Sequence, residues 1–170
     1  VQYFGVFDVR TVEVTSDNWA IVERMAHWQA GWSMFVDHAW LGVGAGNYAQ
    51  AYPAYSVGMW QEPLGHAHNY YLNMLAELGV LGGGLLVLVL GIAFRQLGGA
   101  LVSSERRVRF APGGFWRAVL AGAFGGLVVF CVHNLFDSLF VHSVNIQMGV
   151  LLGLGVVAVD RLNQPTEASR

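Results

Sequence analysis

Three strongly apolar stretches of the chain carry no charged residue: 78–94, 118–136 and 138–159. Each is close to the ~20 apolar residues that a helix needs to cross a ~30 Å hydrocarbon core. The pattern predicts transmembrane helices over 69–97, 115–136 and 141–160, separated by a loop at 98–114 and a short turn at 137–140, with a tail at 161–170. Ahead of them the period changes. Ile21, Met25, Trp28, Trp32 and Phe35 recur at steps of four and three behind Ser16 and Asp17, which are plausible N-caps. This predicts an amphipathic helix over 17–38 inside a polar segment spanning 1–68. Its tryptophans, with Trp40, suit a membrane interface, where the ring body meets lipid and the N–H meets water; packing against other helices would suit them equally. Residues 6–15 are rich in β-branched side chains and read as extended. The fold class expected is all-α: a polytopic membrane protein with three transmembrane helices after an extracytoplasmic loop.

Composition agrees, with 55% hydrophobic and 12% charged residues and a mean hydropathy of +0.46. A soluble all-α core is excluded, because so little polar surface could not cover three such helices. The net charge of −2 hides an asymmetry. Arg95, Arg106, Arg107, Arg109 and Arg117 stand against Glu105 alone between the first two helices, and Arg161 and Arg170 follow the third. Arginine is retained on the cytoplasmic side, so 98–114 and 161–170 should be cytoplasmic and 1–68 outside. All six histidines fall on or near that outer face. It offers no basic surface, so nucleic acid is not an expected partner. The single Cys131 reads as a packing residue within a helix. The chain opens on Val1 in a polar loop, which reads as the C-terminal portion of a longer protein.

Several polar residues on the outer face could carry chemistry. Arg24 flanks the apolar stripe with His27 three residues on, and its planar fork suits phosphate oxygens; an acidic partner or a side chain reaching for water is the alternative. His68 lies beside a helix start, where the dipole disfavours an imidazolium. A neutral histidine there could take a proton from a hydroxyl, bond a diphosphate, or merely cap the helix. His66, two residues away, would point elsewhere on a helix. His133 and Asp137, four apart, would share a face, so that Asp137 could orient His133; His142 and Asn145 repeat the pattern on the next helix. Interhelical hydrogen bonding is the alternative there.

Two further readings are weaker. His66, His68, Glu62, His133 and Asp137 invite a metal, but His-x-His presents both rings together best from a strand, and no cysteine or glutamate pattern completes a ligand set. No metal and no cofactor are expected. Gly42-Val43-Gly44-Ala45-Gly46-Asn47 lacks the spacing and the preceding strand of a dinucleotide fingerprint and reads as a tight turn.

Three blocks carry a resemblance. Arg24-x-x-x-Trp28 is followed by Leu41-Gly42-Val43-Gly44-Ala45-Gly46-Asn47-Tyr48; then come His66-Ala67-His68-Asn69-x-Tyr71-Leu72 and Glu77-Leu78-Gly79-Val80-Leu81-Gly82; last is His133-Asn134-x-x-Asp137. Together they resemble the O-antigen ligase and polymerase family of bacterial membrane glycosyltransferases. The resemblance implies a multi-pass protein of the inner membrane, of about a dozen helices, with its active face periplasmic or extracellular. It implies a glycan donor carried on undecaprenyl diphosphate, with an acceptor on lipid A-core, another glycan repeat or a protein. His68 and Arg24 match the family's essential histidine and loop arginine, and so are the catalytic candidates; Asn69, His66, His133 and Asp137 are the substrate-binding candidates. A further family arginine lies upstream, so the chain is not expected to act alone. A membrane transporter or scaffold is the reading from another class, and would need neither Arg24 nor His68.

Overall fold

The computed structural model describes residues 8–107, 114–138 and 144–164, with backbone only at 104–107. The described residues are helical apart from turns and loops, in the order α1 (Trp19–Asp37), α2 (Tyr48–Ala51), α3 (Tyr70–Arg107), α4 (Gly114–His133) and α5 (Val144–Asn163), with short 3-10 turns at Val9–Thr11 and Tyr52–Ala54. Three of these helices, at Tyr70–Ser103, Gly114–His133 and Val144–Asn163, are long and apolar enough to cross a membrane. The all-α membrane architecture is therefore the one expected. The helix ends differ from those expected: α4 stops at His133, α5 runs to Asn163, and α3 continues to Arg107, into the segment expected as a loop. Leu101-Val102-Ser103-Ser104-Glu105-Arg106-Arg107 contains no helix breaker, so the helix continues beyond its apolar length. The stretch expected to be extended is a 3-10 turn at Val9–Thr11, capped by the Asp8 side chain; residues 6 and 7 lie outside the described residues.

The chain divides into two compact units. Of the described residues, the first comprises 8–86 and 133–138. Its core forms where α1 buries Val22, Ala26, Ala30 and Met34. Ala30 and Met34 pack with Tyr48, Tyr52, Ala67 and Ala76, while Val22 and Ala26 pack with Val9, Val57 and Trp60. This is not the stripe predicted. Ile21 is 59% exposed, and Met25, Trp28, Trp32 and Phe35 are only partly buried. The reason is size: the buried face carries Ala26, Ala30 and Gly31, which let neighbouring backbone approach, and a Cβ on Gly31 would already touch Leu72 and Ala67. Ile21, Met25, Trp28, Trp32 and Phe35 are left on the flank.

A break in α3 organises the rest of this unit. Gly79 adopts φ 63°, ψ −161°, a conformation open essentially to glycine alone, and interrupts the helix. The freed backbone groups are taken by the chain that follows α1: the Val80 N–H donates to the Ala39 carbonyl at 2.8 Å, while the carbonyls of Ala76 and Glu77 accept from the N–H groups of Val43 and Gly44. A Cβ at Gly79 would lie 2.4 Å from the Trp40 carbonyl carbon, and one at Gly42 would lie 2.2 Å from the Glu77 carbonyl carbon. The glycine-rich turn is thus docked backbone to backbone on the break. Glu77 completes the joint from a buried position, its carboxylate accepting from the N–H groups of Gly46 and Tyr48.

The second unit holds the remainder of α3, α4 up to Val132 and α5. Leu97, Leu120, Ala123, Leu127 and Ala158 form its core. Gly155 sits against Leu97 and Ala123, and Gly98 against Phe124, so small residues bring the helices together. Val87, Leu88, Val129, Val150 and Val156 are exposed on the outer faces, where hydrocarbon would cover them.

Candidate functional site

The site lies wholly within the first unit and draws on α1, the loop before α3, and the turn after α4. That loop ends at Asn69, whose side-chain oxygen accepts from the Leu72 N–H and caps α3, while its amide donates to the Leu135 carbonyl at 2.9 Å. Tyr70 N–H donates to the Asn134 carbonyl, and Ala67 N–H to the buried Asn73 side chain. Three asparagines therefore tie the loop to α3 and to the turn after α4. Asn73 and Asn134 could not have been singled out from spacing, since their partners are backbone groups far away or around a corner.

His68 is fixed at three points. Its Nδ1 faces Asp137 Oδ1 at 3.3 Å. Its N–H donates to His66 Nδ1 at 3.1 Å, and its carbonyl accepts from Trp28 Nε1 at 3.2 Å. The backbone at His68 has φ 50°, a left-handed value that side chains other than glycine rarely adopt. The remaining ring nitrogen, Nε2, is buried and has no hydrogen-bond partner among the described residues. With the proton on Nδ1 pointing at the carboxylate, a neutral His68 presents a lone pair at Nε2. That is the arrangement of a general base held in one tautomer by an acid partner.

Asp137 therefore orients His68 and not, as the spacing predicts, His133. The physical reason is that α4 ends at His133, and Asp137 lies past the turn with only its backbone N–H bonded to the His133 carbonyl. His133 is exposed and is not gathered into the cluster; His142 lies outside the described residues, and Asn145 is exposed on α5. Burial pushes the Asp137 carboxyl up, but the Ser138 N–H, the His68 ring and the Arg24 charge outweigh it and leave the acid below its ordinary range. Arg24 itself is exposed, with no hydrogen-bond or ion-pair partner among the described residues. The site thus has a cation at its edge and a carboxylate–imidazole pair within.

His66 also departs from expectation. Residues 66 to 68 are not helical, so the two rings do not diverge; they meet edge to face with centroids 4.4 Å apart. His27, expected beside Arg24, is instead 1% exposed. It stacks on Tyr52 at 4.5 Å and meets His68 edge-on at 5.5 Å. Burial, with the neighbouring His68 and His66, pushes its pKa down to about 4. Tyr48 donates its hydroxyl proton to the His27 carbonyl, which leaves His27 Nδ1 to donate to the Tyr48 oxygen. His27 is a core histidine whose ring forms a neutral wall of the site.

His66, His68 and Asp137 each offer a ligand atom within 4.8 Å of the others. The donor set fits a metal poorly. His66 Nδ1 already accepts the His68 N–H, so ligation through its Nε2 would require an imidazolate, and ligation through Nδ1 would break the loop's own bond.

A family model described as O-antigen ligase matches residues 1–89. The chain belongs to the O-antigen ligase family. It is accordingly a membrane protein of a glycosyltransferase-like ligase family. The part matched to O-antigen ligases contains Arg24, Trp28, His66, His68, Asn69 and the Gly79 break, and ends before Asp137. A comparison with curated proteins found no match.

Proposed function

We propose that this O-antigen ligase family member moves a glycan from undecaprenyl diphosphate to an acceptor hydroxyl at the outer surface of the inner membrane. The observation that carries the reading is the unpartnered, buried Nε2 of His68 behind an Nδ1 aligned on Asp137. A neutral imidazole so held is an acceptor at Nε2. It therefore suits the proton of a hydroxyl better than a diphosphate oxygen, which would meet it lone pair to lone pair.

His68 Nε2 takes the acceptor's proton, the acceptor oxygen forms a bond to the anomeric carbon, and the bond from that carbon to the diphosphate oxygen breaks. The diphosphate leaves with the electron pair, and Arg24 offsets its charge from the edge of the site. Asp137 stabilises the imidazolium that forms. Asn69 holds the loop and is not needed as a substrate contact, while His133 stands apart from this chemistry. Entry of the acceptor must part the cover over Nε2.

The arginine asymmetry supports an outer location for the site, since the basic residues cluster around the connection between the first two spanning helices and after the third. The acceptor is a hydroxyl of lipid A-core, of another lipid-linked repeat, as in a polymerase, or of a protein. A transporter or scaffold would have no use for an oriented histidine with a vacant lone pair. The test is transfer by the purified intact protein from an undecaprenyl-diphosphate glycan, offered each acceptor in turn. Arg24→Ala should lose most activity, and Arg24→Lys should recover little of it if the planar fork matters. Equal rates for Arg24→Ala and the unaltered protein would remove Arg24 from the account.

A further inference from the structure

We propose that His66 is a positioning residue, whose Nδ1 holds the backbone of His68 so that the neighbouring ring is presented with Nε2 free. The proposal rests on the reading of His68 as the base. It replaces the expectation that His66 binds substrate.

The His68 N–H donates to His66 Nδ1 at 3.1 Å. A side chain accepting from the N–H two residues on is the contact that asparagine and aspartate make in Asx turns. Histidine can make it because Nδ1 stands the same number of bonds from the backbone as the asparagine Oδ1. Here the contact serves a residue with φ 50°, which needs local support to persist. Trp28 Nε1 supplies the second support at the His68 carbonyl, so both polar groups of that residue's backbone are bonded by side chains. Without the His66 contact the peptide would be free to relax towards negative φ, and the ring would leave Asp137.

The contact requires His66 to be neutral, because an imidazolium has no lone pair. Burial, with the neighbouring His68 and against Asp137, lowers the His66 pKa and favours that form. With the lone pair at Nδ1 engaged, the proton sits on Nε2, which makes the ring unsuitable as a second base.

Three variants of the purified intact protein separate this role from substrate contact. His66→Ala should lower kcat on the order of 10–100-fold, the loss expected for a misplaced catalytic group, with KM for donor and acceptor little changed. His66→Asn should restore most of kcat, since Oδ1 replaces Nδ1. His66→Gln, whose oxygen lies one bond farther out, should resemble His66→Ala. Asparagine no better than alanine, a rise in KM in place of a fall in kcat, or normal rates for His66→Ala would each overturn the proposal. Should His66→Ala fail to accumulate, the ranking of Asn above Gln decides. His68→Ala, measured alongside, separates the two claims: full activity there removes the base itself, whereas an inactive His68→Ala beside an indifferent His66→Ala removes only the strut.

Discussion

At the scale of single residues, burial favours the neutral forms of His27 and His66. His27 shows the cost most clearly. Its folded pKa of about 4 lies below the ordinary 6.5, so in the window between them the unfolded chain binds a proton that the folded protein does not. Stability is therefore full above about pH 6.5 and falls as pH drops towards 4. Between pH 6.5 and 5 the loss should reach about 2 kcal/mol, read as a fall in melting temperature. His27→Gln should flatten that dependence, and an unchanged slope in the variant would assign it to other groups. The sequence identified His68, Arg24 and Asp137 as candidates but mispaired the acid. Spacing rules see neighbours three or four residues away, whereas Asp137 meets a histidine 69 positions earlier. The same limit hid Trp28, whose indole N–H reads as a group for interfacial water and instead holds the His68 carbonyl.

At the scale of elements, the three apolar helices were legible because lipid-crossing length and charge exclusion are strong constraints. The facing of α1 was not. A periodic stripe of large apolar residues looks like a core face, yet the inner face here mixes Ala26, Ala30 and Gly31, whose role is close approach, with the polar His27, Gln29 and Ser33, and so leaves a weak hydrophobic signal. Nor does a glycine inside an apolar run announce a break. Gly79 shows itself only through what lies against it, the carbonyls of Ala39 and Trp40. Gly79→Ala should therefore destabilise the protein by roughly 3 kcal/mol or more, combining a forbidden conformation with a backbone clash. Gly84→Ala, in the same helix with open space around it, should be close to neutral. Similar melting temperatures for the two variants would mean that the break is not maintained by glycine.

At the scale of the whole molecule, composition and the placement of arginine gave class and proposed sidedness before any contact was known, because both are sums over many residues and tolerate local error. What they could not supply is the meeting of three separate segments at one histidine. The proposed transfer depends on that meeting. Its most direct measurement is the initial rate of glycan transfer by the purified intact protein, as supplied and as His68→Ala, Asp137→Asn and the double variant, at matched membrane levels and melting temperatures. General-base loss predicts a fall of ~10²–10⁴-fold for His68→Ala, a clear fall for Asp137→Asn, and no further fall when the two are combined, since the carboxylate acts only through the imidazole. Transfer by His68→Ala at the unaltered rate would contradict the account.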